Sequence, residues 1–171
     1  MSVAYRRATP ADGPALAATG RRVFEETFGA HFDPGDLALH LDRQFGPGGL
    51  PAELADPDVR VSMAEEDGAP CAYLKLVPMS LPVPHESGAL EVKQLYVLER
   101  WQGAGVAAAL MEWAIDTGRA ERVRALYLSV WEHGLRAQRF YARHGFEVVG
   151  SAPFRLGTRD YDDPVMRLDL A

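Results

Sequence analysis

Leu95-Tyr96-Val97-Leu98-Glu99-Arg100-Trp101-Gln102-Gly103-Ala104-Gly105-Val106-Ala107 joins a β-type run, Leu90 to Leu98, to a helical pattern. In that pattern Val106, Leu110, Trp113 and Thr117 recur at helical spacing. A Gly-x-Gly turn at a helix N-terminus leaves several backbone N–H groups unpaired, and the missing β-carbons let a phosphate come close. The helix macrodipole adds positive potential at the same point. Arg100, three residues before Gly103, can add a full charge. On physical grounds the stretch reads as a pyrophosphate cradle.

Three readings of that cradle stand on its own residues. It can be a strand-turn-helix whose glycines serve geometry alone. Gly103 to Ala108 also spells G-x-G-x-x-A, the dinucleotide fingerprint, but that motif normally opens its domain and needs further parallel strands after it. Here it falls late, with two or three strands to follow. The third reading, Arg-x-x-Gly-x-Gly leading into a helix, closely resembles motif A of the GNAT N-acetyltransferases, which bind acetyl-CoA by its pyrophosphate.

The rest of the chain sets the frame. Its 171 residues and 18.8 kDa predict one domain spanning 1–171, long enough for a sizeable core. No apolar run reaches membrane-spanning length, and Met1 to Arg7 lacks the apolar segment of a signal peptide. The single Cys71 rules out an internal disulfide and fits a reducing cytoplasm. The five histidines show no metal-ligand spacing, so no metal is expected. A net charge of −6 argues against nucleic acid as partner. Residues 1–91 hold 14 acidic and 7 basic side chains, whereas residues 92–171 hold 10 and 11. The half with the cradle is relatively basic and the other is acidic.

In chain order, Val3 to Ala8 predicts a first strand. Thr9-Pro10-Ala11-Asp12 then starts a helix, with Thr9 as N-cap, that runs to about Phe28. Asp36 to Phe45 predicts a second helix, ended by Gly46-Pro47-Gly48-Gly49, and Leu50 to Ala55 one more helical turn. Val59 to Ala64 and Ala69 to Val77 predict a hairpin around Glu65-Glu66-Asp67-Gly68. Met79 to Gly88 reads as an exposed loop and Leu90 to Leu98 as the central strand. The cradle helix is expected to stop at Gly118. A strand, Val123 to Val130, and a short helix, Leu135 to His144 closed by Gly145, follow. Phe146 to Gly150 and Val165 to Leu170 close the chain as a strand pair. This order predicts an α/β layout around a mixed sheet.

The second informative segment is Phe140-Tyr141-Ala142-Arg143-His144-Gly145-Phe146. Ala137, Phe140, Tyr141 and His144 share one helix face. A phenol, with pKa near ~10, suits protonating a departing thiolate. The same tyrosine can equally be a core aromatic with a satisfied hydroxyl. With the cradle about 40 residues upstream, this segment is similar to GNAT motif B, Ala-x-x-Phe-Tyr-x-x-x-Gly-Phe. On the two motifs in this order, the chain is identified as a member of the GNAT superfamily, and the resemblance covers nearly its whole length.

That resemblance implies a mixed, twisted sheet of six to seven strands flanked by about four helices. It implies acetyl-CoA as cosubstrate, held at the pantetheine by backbone groups of Leu95, Tyr96 and Val97 and at the pyrophosphate by Gln102, Gly103, Ala104, Gly105, Val106 and Ala107, with Arg100. It also implies cofactor contacts from Ala137, Phe140 and Arg143, with Arg136 and Arg139 as further cations near the adenosine phosphates. Tyr141 becomes the general acid. Glu91 is the candidate base, with Glu25, Glu132 and an unassisted amine as alternatives. If the strand has no bulge, Glu91, Lys93, Leu95 and Val97 point one way. The family often has Asn three residues before the motif B alanine; here that position is Gly134, preceded by His133, which either replaces the contact or leaves it lost.

For the acceptor, Phe24-Glu25-Glu26-Thr27-Phe28 is similar to a segment of bacterial polyamine (spermidine/spermine) N-acetyltransferases, as are Val130-Trp131-Glu132 and Gly157 to Asp162. Phe24, Glu25 and Phe28 are therefore candidate substrate contacts. An acidic half would steer a polycation. The competing functions are acetylation of a peptide or protein N-terminus and a non-catalytic acyl-CoA-binding sensor. A homodimer is consistent with the family.

Overall fold

The computed structural model describes residues 2–171. Its elements are β1 (Ala4–Arg7), α1 (Gly13–Phe28), α2 (Pro34–Phe45), α3 (Leu50–Glu53), β2 (Arg60–Glu66), β3 (Ala69–Pro78), β4 (Leu90–Val97), α4 (Val106–Ala120), β5 (Ala125–Ser129), α5 (Leu135–Arg143), β6 (Glu147–Leu156) and β7 (Arg159–Asp169). The strands form one sheet in the order β1-β2-β3-β4-β5-β7-β6. Every neighbouring pair is antiparallel except β4 and β5. That pair is parallel because α4 carries the chain back between them.

Local chemistry explains the element ends. The Asp12 carboxylate accepts from the Thr9 amide at 2.7 Å, and both Arg6 η-nitrogens donate to it. Pro10 to Asp12 consequently forms a 3-10 turn before α1 begins at Gly13, a tighter start than the single helix expected. At α2 the Asp33 side chain accepts from the Gly35 and Asp36 amides. Asp67 and Gly68, at φ 49° and 80°, make the two-residue turn that lets β2 and β3 pair up to Glu66 and Ala69.

Alternation along β3 sorts the two layers. Ala72, Leu74 and Leu76 pack with Val106, Leu110, Met111 and Ala114 of α4. Tyr73 packs instead with Leu16, Phe24, Leu41 and Phe45 of α1 and α2. Met79, Leu81 and Val83 of the β3–β4 loop cover the remainder of that second face, against Tyr127 and Val165. The loop is pinned by Glu86, which accepts from the Tyr127 hydroxyl at 2.6 Å and from the Arg167 guanidinium. Those donors hold the Glu86 carboxyl down at about 2.

Two expectations are corrected. Gly118 does not end α4, which runs to Ala120; the glycine is needed because Leu126 and Leu170 press against the helix there. A β-carbon would stand 2.6 Å from Leu170 Cδ1. The last two strands are also longer than their apolar runs, since β6 and β7 continue as a hairpin to Leu156 and Arg159. Leu156 is drawn in by the α1–α2 core, which alternation within the chain's last segment does not reveal.

Candidate active site

Parallel pairing between β4 and β5 covers only Leu90 with Leu126 and Glu91 with Tyr127. Beyond those residues the two strands part. The cause lies in β4, where Lys75 faces Gln94 but Leu76 faces Val92, leaving Lys93 as an extra residue. Such a bulge bends its strand and sharpens its twist. On the β3 side the Leu98 amide donates to Cys71 O at 3.0 Å. Antiparallel alternation therefore directs the backbone groups of Val97 and Leu95 the other way, into the split. The Val97 carbonyl accepts from Gln102 Nε2 at 3.2 Å.

The bulge also settles the parity of β4. Glu91 and Gln94 share the α1–α3 face, while Val92 and Val97 belong to the α4 side. The bulge-free alignment of Glu91 with Lys93, Leu95 and Val97 does not hold. Glu91 is buried and accepts from Ser80 Oγ at 2.9 Å and the Ser80 amide at 3.2 Å, with Lys93 Nζ also at 3.2 Å. Gln94 is buried and accepts from Tyr73 Oη at 2.8 Å. Tyr96 lies 5.6 Å from the Tyr73 ring.

At the open end of the split, Leu98 leads through a 3-10 turn, Glu99–Trp101, into the glycines. Gly103 and Gly105 have φ of 80° and 84°, the left-handed region that glycine enters without strain. The first helical bond of α4 runs from the Ala109 amide to Gly105 O at 3.1 Å, so the amides of Val106, Ala107 and Ala108 remain free at the helix start. The cation beside them is Arg136, not Arg100. Arg136 Nη1 donates to Gln102 Oε1 at 3.0 Å, and Nη2 lies 3.9 Å from where a Gly103 β-carbon would stand. Arg100 is exposed and turned to Glu66 at the end of β2, 3.5 Å away.

On the same side of the sheet as α4, α5 brings Tyr141, packed between Phe140 and Phe146 with ring centroids 5.4 and 5.8 Å away. Burial pushes its phenol up to about 12, and its hydroxyl has no hydrogen bond among the described residues. Ala137 and Phe140 pack against the α4-side core, and Arg143 is exposed at the end of the helix. His133 turns away from α5. Its ring meets Trp131 at 5.2 Å and Tyr161 at 6.0 Å, because Gly134 starts the helix after it and leaves it on the other face.

On that other face an aromatic wall assembles from distant segments. Trp131, just past β5, meets Phe28 at 5.2 Å, His31 at 5.0 Å and Tyr161 at 6.1 Å, all edge-on. Phe28 stands at its surface, whereas Phe24 is buried beneath it against His40. Phe24 is thus a core residue, drawn in because it lies one turn nearer the α2 contact. Glu25 is exposed beside them. Ser80, Gln94, Trp131, Tyr161 and Asp163 carry no signal as site residues in the sequence, except that Trp131 and Tyr161 fall in the two segments similar to polyamine acetyltransferases.

A sheet split between two parallel strands, with free amides along one arm and an anion cradle at its open end, is the architecture of an acyl-CoA-dependent transferase. Residues 21–146 match the Acetyltransferase (GNAT) family, and the chain belongs to that family. It is 32% identical over 160 residues to an uncharacterized N-acetyltransferase of Lactobacillus delbrueckii subsp. lactis, covering 93% of this chain and 92% of that one. It is 30% identical over 159 residues to one from Mycobacterium tuberculosis, covering 93% and 98%. In fold it resembles the PaiA N-acetyltransferase of Thermoplasma acidophilum, solved in complex with coenzyme A, with a TM-score of 0.81 at 16% identity over 99% of each chain. The protein is an N-acetyltransferase of this family. Among the described residues no helix is long and apolar enough to cross a membrane.

Proposed function

We propose that this enzyme acetylates a primary amine of a small polyamine, with the α1–α3 face of the split as the acceptor side. The observation that carries this reading is the charge placement. The helices α1 to α3 and strands β2 and β3 that build most of that face lie in the acidic half of the chain, and the cradle lies in the basic half. A cleft with one sign on each side steers a polycation and a polyanion to their own entrances.

Acetyl-CoA supplies the acetyl group as a thioester. The free amides of Val106 to Ala108, together with Gln102 and Arg136, suit its pyrophosphate. The inward-facing backbone of Leu95 and Val97 suits the pantetheine arm, and one of those amides polarises the thioester carbonyl. The amine enters from the side of Glu91, which takes its proton through water. Its nitrogen attacks the carbonyl carbon, the C–N bond forms and the C–S bond breaks. Tyr141, from the opposite layer, protonates the departing sulfur. The domain acts as one unit, since both arms of the split belong to one sheet.

Turnover tests this directly, as free thiol release across polyamines, amino sugars, amino acids and short peptides. Saturation with spermidine or spermine at lower KM than with the other amines is the expected result. Preference for peptides would move the acceptor to protein N-termini, and coenzyme A binding without turnover would leave a sensor.

Gly105→Ala provides a separate test of the cradle. No atom lies within 4 Å of the added β-carbon, so the effect comes from the backbone alone. A left-handed conformation costs an L-residue about 1–2 kcal/mol. Relaxing it turns the α4 amides off the anion. The KM for acetyl-CoA should rise about tenfold, the factor equal to about 1.4 kcal/mol of binding energy, with little change in the KM for the amine.

A further inference from the structure

We propose that Asp163 is the specificity-determining anchor for the acceptor, binding an ammonium group remote from the nitrogen that is acetylated. This rests on the polyamine reading above. Asp163 is 6% exposed. One carboxylate oxygen accepts from the Glu132 amide at 3.0 Å. The other has no hydrogen-bond partner among the described residues, and it is not among the fully buried unpaired atoms, so it opens to solvent. A carboxylate this deeply placed with half its hydrogen-bonding capacity unused requires a donor.

Its surroundings define that donor as a cation. Tyr161 and Asp163 lie two apart on β7 and so share a sheet face. Tyr161 packs on the α1–α2 core and Val165 on the cluster beneath the β3–β4 loop, which places Asp163 on the acceptor face. The Glu132 amide it accepts from sits between Trp131 and His133, and Trp131, Tyr161, Phe28 and His31 line the approach. The rings are partly exposed, and such an aromatic surface attracts ammonium groups while excluding hydrated anions. Burial also pushes the Asp163 carboxyl up, the direction expected of a carboxylate awaiting a counter-charge.

Position separates this anchor from the chemistry. Glu91 pairs in register with Tyr127, and Tyr127 with Arg167. Asp163 lies four residues along β7 from Arg167, about 13 Å at strand spacing. Glu91 marks the closed end of the split and Asp163 its acceptor rim. An acceptor touching both needs two cationic nitrogens separated by an aliphatic chain. A monoamine reaches only one of them.

The test compares spermidine with n-butylamine in Asp163→Asn, which keeps the oxygen that accepts from Glu132. We expect the spermidine KM to rise about tenfold through loss of a charge-assisted contact, with its kcat and both butylamine constants within about twofold of wild type. Trp131→Leu should shift the same KM in the same direction. Equal shifts for both amines, or a fall in kcat without a change in KM, would overturn the anchor. Wild-type enzyme that favours butylamine over spermidine would overturn the polyamine reading itself, whatever the variant does. Quenching of tryptophan fluorescence by spermidine gives a readout that needs no turnover. It should weaken in Asp163→Asn, and unchanged affinity would count against the anchor.

Discussion

Tyr141→Phe should lower kcat by about 10²–10³-fold, within the range assigned to a positioned general acid. The KM for acetyl-CoA should stay within about twofold, because a general acid in that role would meet the sulfur only as the C–S bond breaks. The phenol is pushed up to about 12 by burial, so it is protonated and ready to donate across the whole working range. The kcat of the wild-type enzyme should therefore show no alkaline fall from this group below about pH 11. The hydroxyl also has no protein partner to lose, so the variant's melting temperature should match wild type within a degree or two. A kcat loss smaller than about threefold would remove Tyr141 from the acid role.

Glu53→Ala should destabilise the fold by about 3 kcal/mol, the low end for removing one partner of a buried ion pair. For a chain of this size that is roughly 6–12 °C in melting temperature. Lys75 lies on β3 beneath α3, with its side chain 4% exposed and its Nζ 2.5 Å from Glu53 Oε2. Glu53 is 37% exposed. Removing the glutamate leaves an ammonium in the core with no counter-charge. Lys75→Met leaves the glutamate in contact with water and fills the same space with apolar atoms, so it should cost less than about 1 kcal/mol. Urea midpoints for the two variants decide the matter. Equal losses would mean that the pair is worth only its packing. The pair matters to function because it ties α3 to the strand that faces Gln94 across the sheet.

The parts legible in the sequence were those whose chemistry is local. The strand-turn-helix around Gly103 and Gly105 follows from glycine's access to positive φ and from helical spacing after it. The Asp67-Gly68 hairpin, the Thr9-Pro10 start of the first helix and Gly145 at the end of α5 are read the same way. These local signals, in order, were enough for the family. Contacts between distant segments left no such mark. Glu91-Val92-Lys93-Gln94 contains no glycine or proline to announce the bulge, which exists because β3 and β4 fit their faces only when Lys93 is passed over. Arg100 and Arg136 look alike as candidate cations, and only the approach of α5 selects Arg136.

By itself, then, the amino-acid sequence determined the cradle, the tyrosine-bearing helix, the alternation of elements and the asymmetry of charge, because each depends on neighbours within a few residues or on composition. Tertiary structure alone decided where β4 and β5 separate, which face Glu91 occupies and which cation meets the cradle. It also decided that Phe28, Trp131, Tyr161 and Asp163, spread over more than 130 residues, meet at one rim. The physical reason is common to all of these. Sheet register and layer packing are set by the simultaneous burial of many apolar side chains, and no short stretch of sequence records that sum.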